Sequence, residues 1–147
     1  MLGKVGMKGR VILMNETYKF LKENTKVNFV ATINEDKPSL RPFGDPFTYD
    51  NKIYVITNKV KDVSKQIEKN NNVCIVAYDN EIWIRINCEL IDDSKNIEAK
   101  KAALAEFDWA EEAGYTLDNE NFQILYMANA TSTFYDEEGN IIEKYSF

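Results

Sequence analysis

The sequence predicts a mainly β domain, an antiparallel barrel or sandwich of about six or seven strands with peripheral helices. Three observations carry this. Apolar residues recur with period two, most cleanly where Ile82, Ile84, Ile86, Cys88 and Leu90 alternate with Trp83, Arg85, Asn87 and Glu89. Turn-forming residues at Asp50-Asn51, Asp79-Asn80 and Asp136–Asn140 separate successive runs at hairpin spacing. Helical stretches are few and short, and they interrupt the strands without alternating with them.

The elements follow in order. Asn15 can cap a helix over about 16–23 with Phe20 and Leu21 turned inward, ended by Asn24-Thr25. From Val27 the period becomes two. Val27, Phe29, Ala31 and Ile33 share one face, and Asn28, Val30 and Thr32 the other. After a turn at 34–37, Pro38 opens a strand over about 39–49 that carries Pro42 and Pro46. A central strand rarely tolerates proline, so this segment is expected at an edge, bulged, or facing something other than a neighbouring strand. Asp50-Asn51 then leads into a strand over 53–58, and a short helix over 62–69 packs through Val63, Gln66 and Ile67. A hairpin over 73–78 and 82–91 follows, then a helix capped by Ser94 and reaching about Phe107. An acidic stretch over 108–120 leads to two final strands, 122–135 and 141–145.

The chain has 147 residues, which suits one domain, read as 14–147 behind an N-terminal extension 1–13. Met14 is a candidate alternative start. A net charge of −6 argues against a general nucleic-acid binder. No apolar run approaches a membrane span, and Val11-Ile12-Leu13 is too short for a signal-peptide core. A cytoplasmic protein is the simplest inference. The chain has no histidine and two cysteines, Cys74 and Cys88, without metal-ligand spacing. Both are expected to be reduced, buried thiols, and a disulfide is possible only if they share a face.

The segment 38–61 holds the candidate chemistry. Arg41, Thr57, Asn58, Lys59 and Lys61 fall on two adjacent strands beside Pro42, Phe43 and Gly44. That set suits a flat, phosphate-bearing ligand. Arg41 can place a planar fork on phosphate oxygens, or tether a surface loop. Lys59 and Lys61 sit at the mouth of a short helix, where a bound anion is favoured and bare cations are not. Gly44 permits close backbone approach, or marks a bulge. Thr57 and Asn58 can bind ligand oxygens, or finish the strand and cap the helix. Trp83 and Arg85 face away from the isoleucines, so their face is expected to meet a partner. Glu111 and Glu112 read as solvated. Tyr115 and Tyr126 line a cavity or join the core.

The ordered set resembles the pyridoxamine 5′-phosphate oxidase-related family of FMN-binding split barrels, across nearly the whole chain from Met14. The matching pieces are the N-terminal helix, Val27-Asn-Phe-Val-Ala-Thr32, Pro38-Ser-Leu-Arg-Pro-Phe-Gly44, Tyr54-Val-Ile-Thr-Asn58, Glu81-Ile-Trp-Ile-Arg-Ile86 and the threonine- and aromatic-rich terminal strand. The resemblance implies a homodimer with FMN at the subunit interface. It implies cofactor contacts from Arg41, Pro42, Phe43, Gly44, Ile56, Thr57, Asn58 and Lys61, with Trp83 and Arg85 reaching across the interface. The family's Ser-Arg-Lys phosphate run is here Lys61-Asp62-Val63, and its C-terminal arginine-bearing substrate segment has no counterpart. Oxidation of pyridoxamine phosphate itself is therefore not expected.

A flavin supplies its own redox chemistry, so no protein acid–base pair is required. The leading expectation is an FMN-dependent oxidoreductase acting on a small organic molecule. The alternatives are a non-catalytic flavin-binding or sensing module, and a split barrel holding a deazaflavin or haem.

Overall fold

Gly44-Asp45-Pro46 divides the single strand expected over 39–49 into β2 (Lys37–Phe43) and β3 (Phe47–Tyr49). Proline withholds a ladder donor, and the chain leaves one edge of the sheet to re-enter at the other. Among the described residues the sheet therefore has eight strands where six or seven were expected. The computed structural model describes residues 10–147, with side chains from Met14 onward. Of the 1–13 extension, residues 1–9 lie outside the described residues, and 10–13 form the first turn of helix α1 (Arg10–Lys19).

The remaining strands are β1 (Asn28–Asn34), β4 (Lys52–Asn58), β5 (Asn72–Tyr78), β6 (Trp83–Asp92), β7 (Phe122–Tyr135) and β8 (Ile141–Ser146). All pairings are antiparallel, in the order β2-β1-β5-β6-β7-β4-β3, with β8 added to β7. Strand β7 is long enough to serve three neighbours: its first half pairs β4, its second half β8, and β6 runs along most of it. Edge placement of β2 accounts for Pro38 and Pro42. The tight β3–β4 turn takes positive φ at Asp50 (49°) and Asn51 (57°), as a two-residue hairpin requires.

Two expected helix starts are corrected. Helix α1 begins at Arg10, so Asn15 lies inside it and caps nothing; α1 passes into a π-helical turn over Phe20–Asn24 that buries Phe20 and Leu21. Helix α3 (Ile97–Glu106) is capped by Asn96, whose side chain accepts from the Ala99 N–H, while Ser94 Oγ accepts from the Ile124 N–H. A cap must sit at the first turn, and α3 starts two residues later than the sequence suggested, the β6–α3 link being one residue longer. Helix α2 (Asp62–Lys69) lies where expected.

The barrel interior is filled by Val30, Ile53, Val55, Ile75, Ile84, Ile86, Leu90, Leu125 and Phe134, with Phe20 and Leu21 packed against it. Each such side chain contributes about 1.5–3 kcal/mol by leaving water. A second core joins Phe47, Tyr54, Phe122 and Ile124 to the alanine face of α3 and to Phe107. Strands β4 and β7 are thus covered on both faces, which explains the unbroken apolar run Ile53-Tyr54-Val55. On β1 the interior face is Asn28, Val30 and Thr32, whereas Val27, Phe29 and Ile33 are each 40% exposed.

Cys88 points into the barrel and Cys74 to its outside, so the two cysteines occupy opposite faces and are both free. Among the described residues no helix is long and apolar enough to cross a membrane, and no group of three or more potential metal ligands converges.

Candidate functional site

A cleft of about 400 Å³ opens where the β2–β3 break passes the end of β4 and the start of α2. Its walls are Arg41, Pro42, Phe43, Gly44 and Asp45 from β2 and the break, Ile56 and Thr57 from β4, Lys61 at the N-cap of α2 and Val63 within it; the Asp45 carboxylate pairs with Lys22 at 3.5 Å. The volume falls in the range of small-molecule sites. Seven of the ten sequence-predicted residues meet here: Arg41, Pro42, Phe43, Gly44, Ile56, Thr57 and Lys61. The far wall comes from the acidic segment, as Trp109, Ala113 and Tyr115.

Of that wall the sequence offered Tyr115 as a cavity-lining candidate, whereas Trp109 and Ala113 were not foreseen. Trp109 packs near Phe107 (5.5 Å between centroids) and Tyr115 (6.0 Å), and Tyr115 meets buried Phe122 at 5.4 Å. This aromatic string ties the segment to the second core and swings it across the cleft. Its signal in the sequence is Trp109 itself, a large apolar residue in a stretch otherwise rich in carboxylates. Glu111 and Glu112 are exposed, as expected. Tyr126 packs edge-on against Tyr54 at 5.6 Å and does not reach the cleft.

Arg41 is not a free fork. Its Nη1 donates to Thr32 Oγ1 (2.8 Å), Val30 O (3.1 Å) and Ser39 O (3.2 Å), and its Nη2 to Gln66 Oε1 (2.8 Å) and Ser39 Oγ (2.9 Å). Thr32 Oγ1 also donates to Gln66 Oε1 at 2.6 Å. The guanidinium therefore clamps α2 to the β1–β2 ribbon. Burial pulls its pKa down from the ordinary guanidinium value, and the Asp62 carboxylate opposes this. Lys61 is the exposed cation of the cleft, and it forms no ion pair among the described residues.

Lys59 and Lys61 part company. The Lys59 N–H donates to Asn121 O, and its side chain lines two other clefts on the far side of the β4–α2 corner. Asn58 shapes that corner: its Oδ1 accepts from the Val60 N–H and its carbonyl from the Lys61 N–H, so its side chain does not line the cleft.

Trp83 and Arg85 lie outside the cleft as well. Trp83 stacks on Tyr135 at 4.0 Å and 12°, and the Arg85 guanidinium sits 5.1 Å and 5.5 Å from the two ring centroids. Arg85 Nη1 also donates to the Tyr135 hydroxyl at 3.2 Å. This cluster shares the barrel's outer face with Phe29, Leu40 (67% exposed) and Tyr78 (54% exposed).

The donor set fits a flavin mononucleotide. Lys61, at the N-cap of α2, suits a phosphate, and Thr57 and the main chain around Phe43-Gly44 supply polar groups. Pro42, Ile56, Val63, Trp109 and Tyr115 supply apolar walls. A Cβ built on Gly44 meets no protein atom within 4 Å, so the space beside it belongs to the cleft.

Comparison with solved structures supports the same architecture. The chain is similar to a NimC/NimA family protein from Clostridium acetobutylicum, at 29% identity and a TM-score of 0.86 over 94% of each chain. It also matches a protein from the same organism related to general stress protein 26 of B. subtilis, described as of the pyridoxinephosphate oxidase family. That match has 16% identity and a TM-score of 0.65, over 93% of this chain and 94% of the other. A heme binding protein from Mycobacterium smegmatis matches at 14% identity and a TM-score of 0.64, covering 90% of this chain and 57% of that one. No family model and no curated protein matches the sequence. The eight-stranded antiparallel sheet of the described residues, its flanking helices and these likenesses give the chain the fold of the pyridoxamine 5′-phosphate oxidase-like split barrels.

Proposed function

We propose that this chain is an FMN-binding flavoprotein, acting as an oxidoreductase on a small organic substrate. The convergence of Lys61, Thr57, Phe43-Gly44 and Trp109 in one cleft carries this reading. Bound FMN would supply the redox chemistry, accepting and returning electrons at its ring system. The protein's part is to hold and shield. Lys61 and the first turn of α2 meet the phosphate, while Arg41 fixes that turn through Gln66 and adds positive potential without touching the ligand by its Nη atoms. Pro42 and Phe43 position the ring from one side. Trp109 and Tyr115 exclude water from the other.

The assembly proposed is a homodimer. Phe29, Leu40 and Tyr78, beside the Trp83–Tyr135–Arg85 stack, make an apolar outer strip of the kind that subunit interfaces cover. Trp83 and Arg85 then serve the partner's side of the cofactor.

The test is the absorbance spectrum of the purified protein, with mass spectrometry of what it releases on denaturation. Flavin absorbance and a released FMN mass are expected. Colourless protein that does not take up added FMN rejects the reading. Protein that binds FMN but exchanges electrons with no donor or acceptor is a binding or sensing module. A released haem or deazaflavin assigns the cleft to that group instead.

A further inference from the structure

The β1–β2 ladder ends at the Asn28–Phe43 rung, where the chain leaves the edge of the sheet, so the Gly44 carbonyl has no strand partner. The Asn28 side chain replaces one. Asn28 is 4% exposed, on the interior face of β1, and its Nδ2 donates to Gly44 O at 3.0 Å. A carbonyl accepts only from the amide nitrogen, so this partner fixes which way the Asn28 amide is turned.

That bond also aims the next donor. A trans peptide sets its C=O and its N–H in opposite directions, and the described residues contain no cis peptide. With the Gly44 carbonyl drawn toward the barrel interior, the Asp45 N–H turns the other way, outward at the break that lines the cleft. Among the described residues no acceptor meets it. Pro46 has no N–H, so Asp45 carries the last main-chain donor before β3. The Asp45 carboxylate is engaged separately, 3.5 Å from Lys22 Nζ, which pairs more closely with Glu106 at 2.9 Å. These carboxylates are partly exposed and constrain the backbone weakly, so the buried Asn28 bond decides how the peptide faces.

We propose that the Asp45 N–H donates to an acceptor atom of the flavin ring and that Asn28 is its positioning residue. The assignment rests on the flavin reading of the cleft. Pro42 and Phe43 bring the ring to this stretch of main chain, and Gly44 leaves the approach open, since a Cβ there meets no protein atom within 4 Å. A fixed donor aimed at the ring favours the negative charge that reduction places there. Lys61 meets the phosphate and the Asp45 N–H meets the ring, so FMN and riboflavin separate the two contacts.

The experiment is amide NMR of the full-length protein titrated with FMN and with riboflavin, joined to flavin affinities and the midpoint potential of the bound flavin. In the parent, the Asp45 amide proton should exchange at least tenfold more slowly, and resonate downfield, with either flavin bound. Asn28→Leu is close in volume and removes the donor. It should weaken FMN and riboflavin by the same factor, about tenfold, keep the ratio between them, and lower the midpoint potential. Asp45→Pro removes the N–H itself and should do the same with Asn28 intact. A loss of packing alone would not lower the potential in both variants. Flavin bound with the Asp45 amide unprotected, or an unchanged potential in both variants, overturns the assignment and leaves the flavin reading standing. A parent that binds neither flavin overturns both.

Discussion

Arg41 Nη2 lies 2.8 Å from Gln66 Oε1, so the arginine of the edge strand β2 holds helix α2 against the ribbon and is not open toward the cleft. Thr32 Oγ1 bonds the same oxygen at 2.6 Å. The first turn of α2, with Lys61 ahead of it, is positioned by this network. Arg41→Met is expected to destabilise the fold by about 1–3 kcal/mol in chemical denaturation, because Gln66 and Thr32 lose a charged donor. Gln66→Ala should weaken FMN binding although Gln66 does not line the cleft. Lysine at position 41 is not expected to rescue either property, since a point charge cannot span both Ser39 and Gln66. Unchanged stability and affinity in Gln66→Ala would show that the clamp is incidental.

Gly44 separates ligand contact from protein packing. A Cβ there meets no protein atom within 4 Å, so Gly44→Ala should change stability by less than about 0.5 kcal/mol. If FMN packs beside this backbone, the same variant should lose roughly tenfold or more in affinity. Equal affinity for FMN would place the ligand elsewhere in the cleft.

Trp109 and Trp83 are the two tryptophans of the chain, and they report on different surfaces. Trp109 lines the cleft, and Trp83 stacks on Tyr135 outside it. Added FMN should quench the emission of Trp83→Phe protein strongly. Trp109→Phe protein should show the smaller residual quenching of a residue that reaches the cofactor only from a partner. Quenching that ignores which tryptophan remains would contradict the assignment of the acidic segment as a wall.

The cysteines should differ in reactivity and never pair. Burial pushes the Cys88 thiol up to about 12, with Cys74 and Glu89 adding to it, and burial raises Cys74 less while Arg85 opposes. Alkylation near pH 8 should label Cys74 well before Cys88, with no shift in electrophoretic mobility on reduction. A disulfide between them would require one strand to turn over. Protection of Cys74 at high protein concentration, released on dilution, would report the dimer over the outer face.

The sequence displayed what is local. Alternation in β6, the Asp50-Asn51 turn and the edge character of the proline-bearing strand all depend on residues within a few positions of one another. Cap choice failed because Ser94 and Asn96 are both good caps, and only the length of the β6–α3 link decides between them. The site was legible as a set of residues but not as an arrangement. Arg41 could not be seen to engage Gln66, twenty-five residues later in the chain. Lys59 and Lys61 look equivalent in sequence, yet the corner built by Asn58 sends them to different clefts. Trp109 joins the site only through the aromatic string running to Phe122.

The central claim is that Lys61 and the start of α2 hold the phosphate of a flavin mononucleotide. Parallel titrations of the apoprotein with FMN and with riboflavin, in parent and Lys61→Glu forms, test it most directly. The parent should bind FMN at least a hundredfold more tightly than riboflavin, and Lys61→Glu should erase that preference while leaving the exposed-lysine variant folded. Equal affinity of the parent for both flavins, or a preference that survives Lys61→Glu, would contradict the account.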